Sequence, residues 1–89
     1  MLRTLAIAMH PGHVLTALYE SNIHDIADQL AVETGSSLAE IKQFLSGERD
    51  ISLRLADVIA RHTGIQAATW LSIQRAFSEK EIDGNAAET

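Results

Sequence analysis

Hydrophobic residues recur at helical spacing in five successive segments of the chain, and short polar or glycine-containing breaks separate these segments. Apolar residues three or four positions apart lie on one face of a helix. The pattern therefore predicts five amphipathic helices. Their apolar positions are Val14, Leu15, Leu18 and Tyr19; Ile23, Ile26, Ala27, Leu30 and Ala31; Leu38, Ile41, Phe44 and Leu45; Leu53, Leu55, Ala56, Val58, Ile59 and Ala60; and Trp70, Leu71, Ile73 and Phe77.

The first two breaks contain helix start and stop signals. The only proline, Pro11, precedes Gly12 and marks a turn after which the first helix begins. The pair Ser21-Asn22 ends that helix, and the Asn22 side chain is predicted to cap the second helix. Gly35 suits the left-handed residue that stops the second helix.

The third helix has the clearest start signal. Ser37 and Glu40 form a capping-box pattern, in which the hydroxyl and the carboxylate each accept a hydrogen bond from a free amide. Gly47 is predicted to end this helix. Ser52 is predicted to cap the fourth helix and Gly64 to end it. The fourth helix has the broadest apolar stripe, which predicts a central position.

These elements predict an all-α protein with one main domain. The fifth helix starts near Ala67, and residues 10–82 form the helical domain. Residues 1–9 form an N-terminal arm that contains the apolar stretch TLAIAM. Residues 83–89 are predicted to form a disordered tail, because DGNAAET has nothing to bury.

The composition is that of a soluble globular domain. The chain has 89 residues, of which 46% are hydrophobic and 21% charged. It contains no cysteine, which excludes disulfides and thiolate chemistry. No apolar run approaches the roughly 20 residues that span a bilayer, and the start lacks the apolar region of a signal peptide. We therefore expect a cytoplasmic protein without a membrane partner.

The net charge of −5 is unevenly distributed. Residues 21–50, which contain the second and third helices, have two basic and six acidic residues, a net charge of −4. Residues 51–77 have three arginines and one aspartate, a net charge of +2. Since DNA is a polyanion, the acidic segment limits non-specific DNA binding and suits a basic protein partner.

Patterns for catalysis and metal binding are weak. The chain has neither a glycine-rich phosphate loop nor an oxyanion-hole signature. His10 and His13 flank the Pro-Gly turn and lack the spacing of helical zinc ligands, while His24 and His62 lie in other helices. We interpret the first pair as a helix-entry turn with exposed imidazoles. We predict no metal, no cofactor and no enzymatic activity; an enzyme would depend on one of these four histidines.

The second and third helices meet at a glycine-containing turn, and the third helix opens with a strong cap. This is the arrangement of a helix-turn-helix, in which the later helix enters the major groove. Ser36 and Ser37 lie where they can reach phosphates, Gln43 could pair with adenine, and Lys42 could reach guanine or phosphate. The positions predicted to contact DNA are Ser36, Ser37, Ala39, Glu40, Lys42, Gln43, Arg49 and Arg54. Two-helix hairpins also occur in proteins that do not bind DNA.

Four motifs, in this order, resemble those of a known family. They are HPGHVL (10–15), LSGERDIS (45–52), LRLADVIARHTG (53–64) and TWLSIQRAF (69–77). Their combination resembles the HigA-type, or VapI-like, antitoxins of the Xre-like helix-turn-helix group. His13 and Glu48 depart from the family pattern, which has a glutamate and commonly a basic residue there. The segment QLAVETGSSLAEI is also about four residues longer, roughly one helical turn.

The resemblance implies a five-helix, lambda-repressor-like domain that acts as a homodimer. It also implies binding to a palindromic operator, repression of the protein's own operon, and neutralisation of a partner toxin, usually a small basic RelE-like endoribonuclease. The alternative is a helix-turn-helix-fold protein-interaction module with weak or lost DNA binding. A basic partner would suit the acidic segment in either case.

The last predicted helix carries large apolar residues that invite two explanations. Trp70, Ile73 and Phe77 lie on a helix whose apolar content exceeds what a small core requires, so we predict a twofold dimer interface there. Packing within the core of the single chain explains the same residues equally well.

Overall fold

The computed structural model describes the backbone of residues 9–88 and the side chains of residues 9–79. The predicted all-α class is confirmed, since the backbone of residues 9–88 contains no strand. The predicted N-terminal arm lies almost entirely outside the described residues. The helices are α1 (Pro11–Tyr19), α2 (Ile23–Thr34), α3 (Leu38–Leu45), α4 (Leu53–Thr63) and α5 (Ala67–Glu88), with a 3₁₀ turn (Glu20–Asn22) between α1 and α2.

The core lies between these helices: α2 packs against α1, α3 and α4, and α4 also packs against α5. α2, which packs against three other helices, is therefore more central than α4, for which the sequence predicted the central position. Burial of the large side chains removes their apolar surface from water, which is the main force that holds these short helices together. The buried apolar residues are Leu15, Ile26, Ala27, Leu30, Ile41, Phe44, Ile51, Leu55, Ala56, Val58, Ile59 and Trp70.

Several predicted helix ends are confirmed. The Ser37 hydroxyl accepts from the Glu40 amide and the Glu40 carboxylate accepts from the Ser37 amide, both at 3.1 Å, which completes the capping box. The Ser52 hydroxyl caps α4 by accepting from Leu55 N at 3.1 Å. Gly35 has a φ of 74°, in the left-handed region that glycine adopts without a steric cost.

The predicted cap of α2 is wrong. The Asn22 side chain makes no capping hydrogen bond, and its backbone (φ −87°, ψ 3°) lacks the extended conformation of a capping residue. The 3₁₀ turn leads directly into α2, and the Ile23 amide bonds to the Glu20 carbonyl. Local backbone hydrogen bonds thus replace the expected side-chain cap.

The histidine turn is only partly as predicted. His13 is exposed, but His10 is completely buried, and its Nδ1 caps α1 by accepting from Gly12 N at 2.9 Å. Its ring packs edge-on against Phe77, with centroids 5.1 Å apart, and lies 5.6 Å from the Phe44 ring. The exposed-imidazole interpretation therefore fails for His10, because tertiary packing covers the start of α1.

Gly12 allows this close packing. A Cβ atom at Gly12 would overlap the carbonyl oxygen of Phe44 and would lie 2.9 Å from the Leu45 Cα. These are backbone atoms of α3, which cannot rotate away as a side chain could. The absence of a side chain at residue 12 therefore lets the start of α1 pack directly on the end of α3.

Trp70 belongs to the core of the single chain, which corrects its predicted place in a dimer interface. It has no exposed surface, and its indole Nε1 donates to Thr63 Oγ1 at 3.4 Å. A fully covered side chain cannot contact a second copy. Ile73 and Phe77 are half-buried and retain some exposed surface.

The backbone of α5 extends to Glu88, whereas the sequence predicts disorder over residues 83–89. No proline interrupts the segment after residue 82, and Ala86, Ala87 and Glu88 are good helix formers. Continuation of an established helix requires no new nucleation, so weak helix formers such as Gly84 are tolerated there. None of the helices in the described part of the chain is long and apolar enough to cross a membrane.

Candidate nucleic-acid interface

The connection between α2 and α3 is short and is closed by backbone hydrogen bonds. It consists of Gly35, Ser36 and Ser37. The Gly35 amide bonds to the Val32 carbonyl at 3.3 Å, and the Ser36 amide bonds to the Ala31 carbonyl at 3.1 Å. This paired closure of a helix end fixes the direction in which the chain leaves α2. Apart from these three residues, the segment QLAVETGSSLAEI is helical.

One side of α3 is exposed and polar. Ala39, Lys42 and Gln43 are all exposed, and Ser46, the residue after the helix, is exposed as well. The opposite side carries the buried residues Ile41 and Phe44. We call the exposed set of Ala39, Lys42, Gln43 and Ser46 the outward face of α3. It unites three of the residues predicted to meet base edges.

Glu40 does not belong to this outward face. Its carboxylate accepts from the Ser37 amide and is therefore turned back towards the start of α3. The sequence pattern grouped Glu40 with the base-contacting positions, and the capping box is the reason why its side chain points elsewhere. The outward face of α3 consequently presents one lysine and no carboxylate.

Arg49 lies in the loop after α3 and binds the outward face. Its Nε and Nη2 atoms both donate to Gln43 Oε1, at 3.2 and 3.0 Å. Both side chains are exposed. The guanidinium group therefore adds a positive charge directly beside Gln43, across the end of the helix.

The buried side chain of Gln74 holds this loop in place. Its Oε1 accepts from the Ile51 amide at 2.9 Å, and its Nε2 donates to Asp50 Oδ1 at 3.2 Å and to Ser78 Oγ at 3.3 Å. Only 8% of Gln74 is exposed. The two residues that follow Arg49 are thus anchored to α5, which restricts the position of Arg49 itself.

Two clefts flank α3, each with one of these cations. One cleft, of about 240 Å³, lies between α3 and α4 and is lined by Arg49 and Ser36 together with the acidic residues Glu40 and Asp50. The other, of about 370 Å³, lies between α3 and the α1–α2 pair and is lined by Lys42 and Ser46 among others. Because a major groove runs between two phosphate backbones, a cation on each side of α3 suits its insertion there, whereas the carboxylates of Glu40 and Asp50 in the first cleft oppose it.

The remaining predicted contact residues lie at the ends of neighbouring helices. Ser37 is exposed at the start of α3, and its hydroxyl hydrogen is free to donate while its oxygen accepts from the helix. Ser36 is half-buried beside it. Arg54 is exposed in the first turn of α4, shortly after the loop that holds Arg49.

The acidic residues of α2 have two different environments. Glu33 forms a salt bridge with His62 of α4, with 3.0 Å between Oε1 and Nε2. Asp25 and Asp28 are exposed, away from the buried residues of the helix. Three of the six acidic residues of the segment therefore lie on α2, and the other three are Glu40 in α3 and Glu48 and Asp50 in the loop after it.

Two residues of this site were not predicted from the sequence as functional. Gln74 appeared in the sequence only as part of the motif TWLSIQRAF, and its side chain joins residues 23 and 24 positions apart in the chain. Ser46 follows Ala39 by seven residues, which places it on the same helix face, and this spacing was a usable signal. Among the described residues, no group of three or more acidic or imidazole side chains could hold a metal ion.

Comparison with known proteins identifies the class of fold. No family model and no curated protein sequence matches the chain. Among solved structures, an addiction module antidote protein of the HigA family from Coxiella burnetii has a TM-score of 0.73 and 25% identity, over 91% of this chain and 88% of that chain.

Two further solved structures have the same TM-score of 0.73 over 91% of this chain. One is a putative antidote protein of a plasmid maintenance system from Nostoc punctiforme, at 21% identity and 88% coverage of that chain. The other is a Pseudomonas aeruginosa protein in complex with its 28-base-pair operator DNA, at 20% identity and 89% coverage.

The chain therefore has a HigA-like helix-turn-helix fold, and the resemblance predicted from the sequence is confirmed. The similar structures are antidote proteins and an operator-bound protein, in agreement with the prediction that the chain is not an enzyme.

Proposed function

We propose that this protein is an antitoxin that binds a palindromic operator as a homodimer, represses its own operon and neutralises a toxin. The observation that carries the proposal is the outward face of α3, which includes Lys42, is free of carboxylates and has Arg49 bonded to its Gln43. The capping box turns the Glu40 carboxylate away from this face, so the face itself presents no acidic group to the phosphates.

The similar solved structures support this proposal. The Pseudomonas protein binds operator DNA with the same fold. A 28-base-pair duplex is long enough for two half-sites about one helical turn, or about 10 base pairs, apart. A homodimer of the present chain would place one copy of α3 at each half-site. The partly exposed residues Ile73 and Phe77 are the candidates for its twofold contact.

The proposed function is tested by titrating the purified protein against DNA from immediately upstream of its own gene, at two salt concentrations. We expect saturable binding that exceeds binding to shuffled DNA and weakens as salt rises. Replacement of Lys42 by Gln should weaken binding and reduce the salt slope by about 0.9 for each phosphate that the lysine neutralises. Equal binding to specific and shuffled DNA at low salt would refute DNA recognition.

Arg61→Gln provides the matched control. This change also removes one positive charge from an exposed residue, but Arg61 lies in the last turn of α4, away from the loop and from α3. The control should retain the affinity and the salt slope of the wild-type protein. A decrease equal to that of Lys42→Gln would indicate that total charge, and not the outward face, governs binding.

The toxin is proposed as a small basic protein with ribonuclease activity. Exposed Asp25 and Asp28 on α2 would attract such a partner, and electrostatic complementarity accelerates encounter. Affinity purification of the tagged protein from its own host should recover a basic protein whose retention falls with salt. The double substitution Asp25→Asn/Asp28→Asn should reduce that retention. The recovered protein should also lose its ribonuclease activity when the wild-type chain is added.

The acidic side of α2 also favours a second candidate function, a protein-interaction module without DNA recognition. In this alternative the exposed carboxylates of Asp25 and Asp28 bind the partner and also repel the phosphates. The DNA titration separates the two functions. Flat curves for every duplex together with a salt-sensitive basic partner would identify the interaction module.

A further inference from the structure

We propose that Arg49 determines base preference, by converting Gln43 from a reader of adenine into part of a reader of guanine. The proposal rests on the proposed operator binding and names the base that the outward face selects. It starts from the two hydrogen bonds that Arg49 donates to Gln43 Oε1, at 3.2 and 3.0 Å.

The chemistry of the pair fixes the orientation of the Gln43 amide. A guanidinium group has five N–H donors and no acceptor. Only the carbonyl oxygen of Gln43 can therefore face Arg49, and the Nε2 amine must point away. The two contacts from Nε and Nη2 occupy both lone pairs of that oxygen.

A glutamine held in this way cannot pair with adenine in the usual manner. Bidentate recognition of adenine needs the side-chain oxygen to accept from N6 while the amine donates to N7. In this structure the oxygen is already engaged by Arg49. The amine of Gln43 and the remaining N–H groups of Arg49 are left as donors, so the pair presents an array of donors with one positive charge.

Guanine is the base whose major-groove edge complements such an array. It offers two adjacent acceptors, N7 and O6, whereas adenine offers the acceptor N7 beside the donor N6. Adenine would bring its N6–H groups against N–H groups of the pair and leave them unsatisfied. Mismatched donors in a desolvated contact are costly.

The anchoring of the loop supports the view that Arg49 keeps its position beside Gln43 when DNA binds. Asp50 and Ile51, which follow Arg49, are bound by the buried side chain of Gln74. The backbone that carries Arg49 is therefore held before DNA arrives. An ordered donor pair loses less conformational entropy on binding than two independent side chains would.

The test measures the affinity of the full chain for upstream operator duplexes in which each base pair is changed symmetrically in both half-sites. The base pair that Gln43 contacts is the one at which the Gln43→Ala variant no longer discriminates between bases. At that position we expect the wild-type protein to prefer guanine over adenine about tenfold, in line with the usual value of one good base contact. Arg49→Ala releases the Gln43 oxygen and should shift the preference to adenine.

Arg61→Ala is the control for the removal of one charge, because Arg61 is exposed on α4 and does not bond to Gln43. It should retain the guanine preference. Circular dichroism should give the same helix content for all variants, since Gln43 and Arg49 are exposed.

Three results would overturn the inference, and one of them would also overturn the proposed operator binding. An adenine preference in the wild-type protein, or an unchanged preference in Arg49→Ala, refutes the role of Arg49 while operator binding stands. Equal affinity for the operator and for shuffled DNA refutes the proposed operator binding and this inference together.

Discussion

The two sides of α3 differ in what determines their structure. The inward side carries Ile41 and Phe44, which are buried in the core, and the end of the helix packs against the backbone of α1 at Gly12. The outward side carries Lys42 and Gln43, which are exposed to solvent. The inward side is therefore fixed by close packing from many neighbours, and the outward side by individual hydrogen bonds.

Because of this contrast, the inward side holds the backbone of α3 in place, while the residues of the outward side can vary with little effect on the fold. Eight residues do not form a stable helix alone in water, so α3 depends on its buried side and on its capping box. The outward side contributes little to that stability. Substitutions on the outward side should therefore change DNA binding with little effect on stability. Substitutions on the inward side should change stability.

The largest expected effect is that of Gly12→Ala on the inward side. The added Cβ would overlap backbone atoms of Phe44, so α1 and α3 would have to separate. We expect the free energy of unfolding to fall by about 3 kcal/mol or more, at the upper end for overpacked sites. Urea denaturation followed by circular dichroism measures this decrease.

Gly35→Ala is the control for this substitution, because a Cβ at Gly35 meets no atom within 4 Å. Its cost comes only from the left-handed backbone, about 1 kcal/mol. Equal decreases for both variants would contradict the close contact between α1 and α3.

Gln74→Leu should have the next largest effect. The substitution removes the acceptor of the buried Ile51 amide and the donor to Asp50. We expect a decrease of about 2 kcal/mol, as for other buried groups left without partners, and faster amide hydrogen exchange at Ile51. Gln29→Leu, on an exposed position of α2, is the control and should leave both values unchanged. Unchanged exchange at Ile51 in Gln74→Leu would contradict the anchoring role.

Ser37→Ala should have a smaller effect, at the boundary between the two sides. It removes the oxygen that accepts from the Glu40 amide and so opens the capping box. We expect a decrease of about 1 kcal/mol, typical of an N-cap serine. Ser36→Ala leaves this cap intact and serves as the control. A larger decrease for Ser36→Ala in thermal unfolding would indicate that the cap is not the important feature of the turn.

Gln43→Ala should have the smallest effect on stability. The side chain is exposed, and its hydrogen bonds join it to Arg49, which is exposed as well. We expect the free energy of unfolding to change by less than about 0.5 kcal/mol, although base discrimination disappears. A decrease in stability as large as that of Ser37→Ala would remove the distinction between the two sides of α3.

Much of the backbone organisation could be predicted from the sequence, because its causes are local. The capping box of Ser37 and Glu40 and the left-handed stop at Gly35 each involve residues within one helical turn. The apolar spacing likewise predicted most of the buried positions of α3 and α4, but Leu38 and Leu53, the first residues of these helices, are exposed. The failed cap at Asn22 is an exception in which a 3₁₀ turn supplied competing local hydrogen bonds.

Predictions that depended on distant residues were less successful. The burial of His10 requires Phe44 and Phe77, which lie far along the chain. The periodicity of α5 could not decide whether Trp70 faces the core or a second copy, since both surfaces are apolar. The structure places it in the core beside Thr63.

The sequence by itself determined the order of the helices of the described chain and that α2 and α3 form a helix-turn-helix, because periodicity and caps act over a few residues. The tertiary structure decided what the outward face of α3 presents. Arg49 reaches Gln43 only because the chain turns after the helix and Gln74 anchors that turn to α5. Contacts between segments so far apart in sequence have no periodic signature, and only the packed fold brings them together.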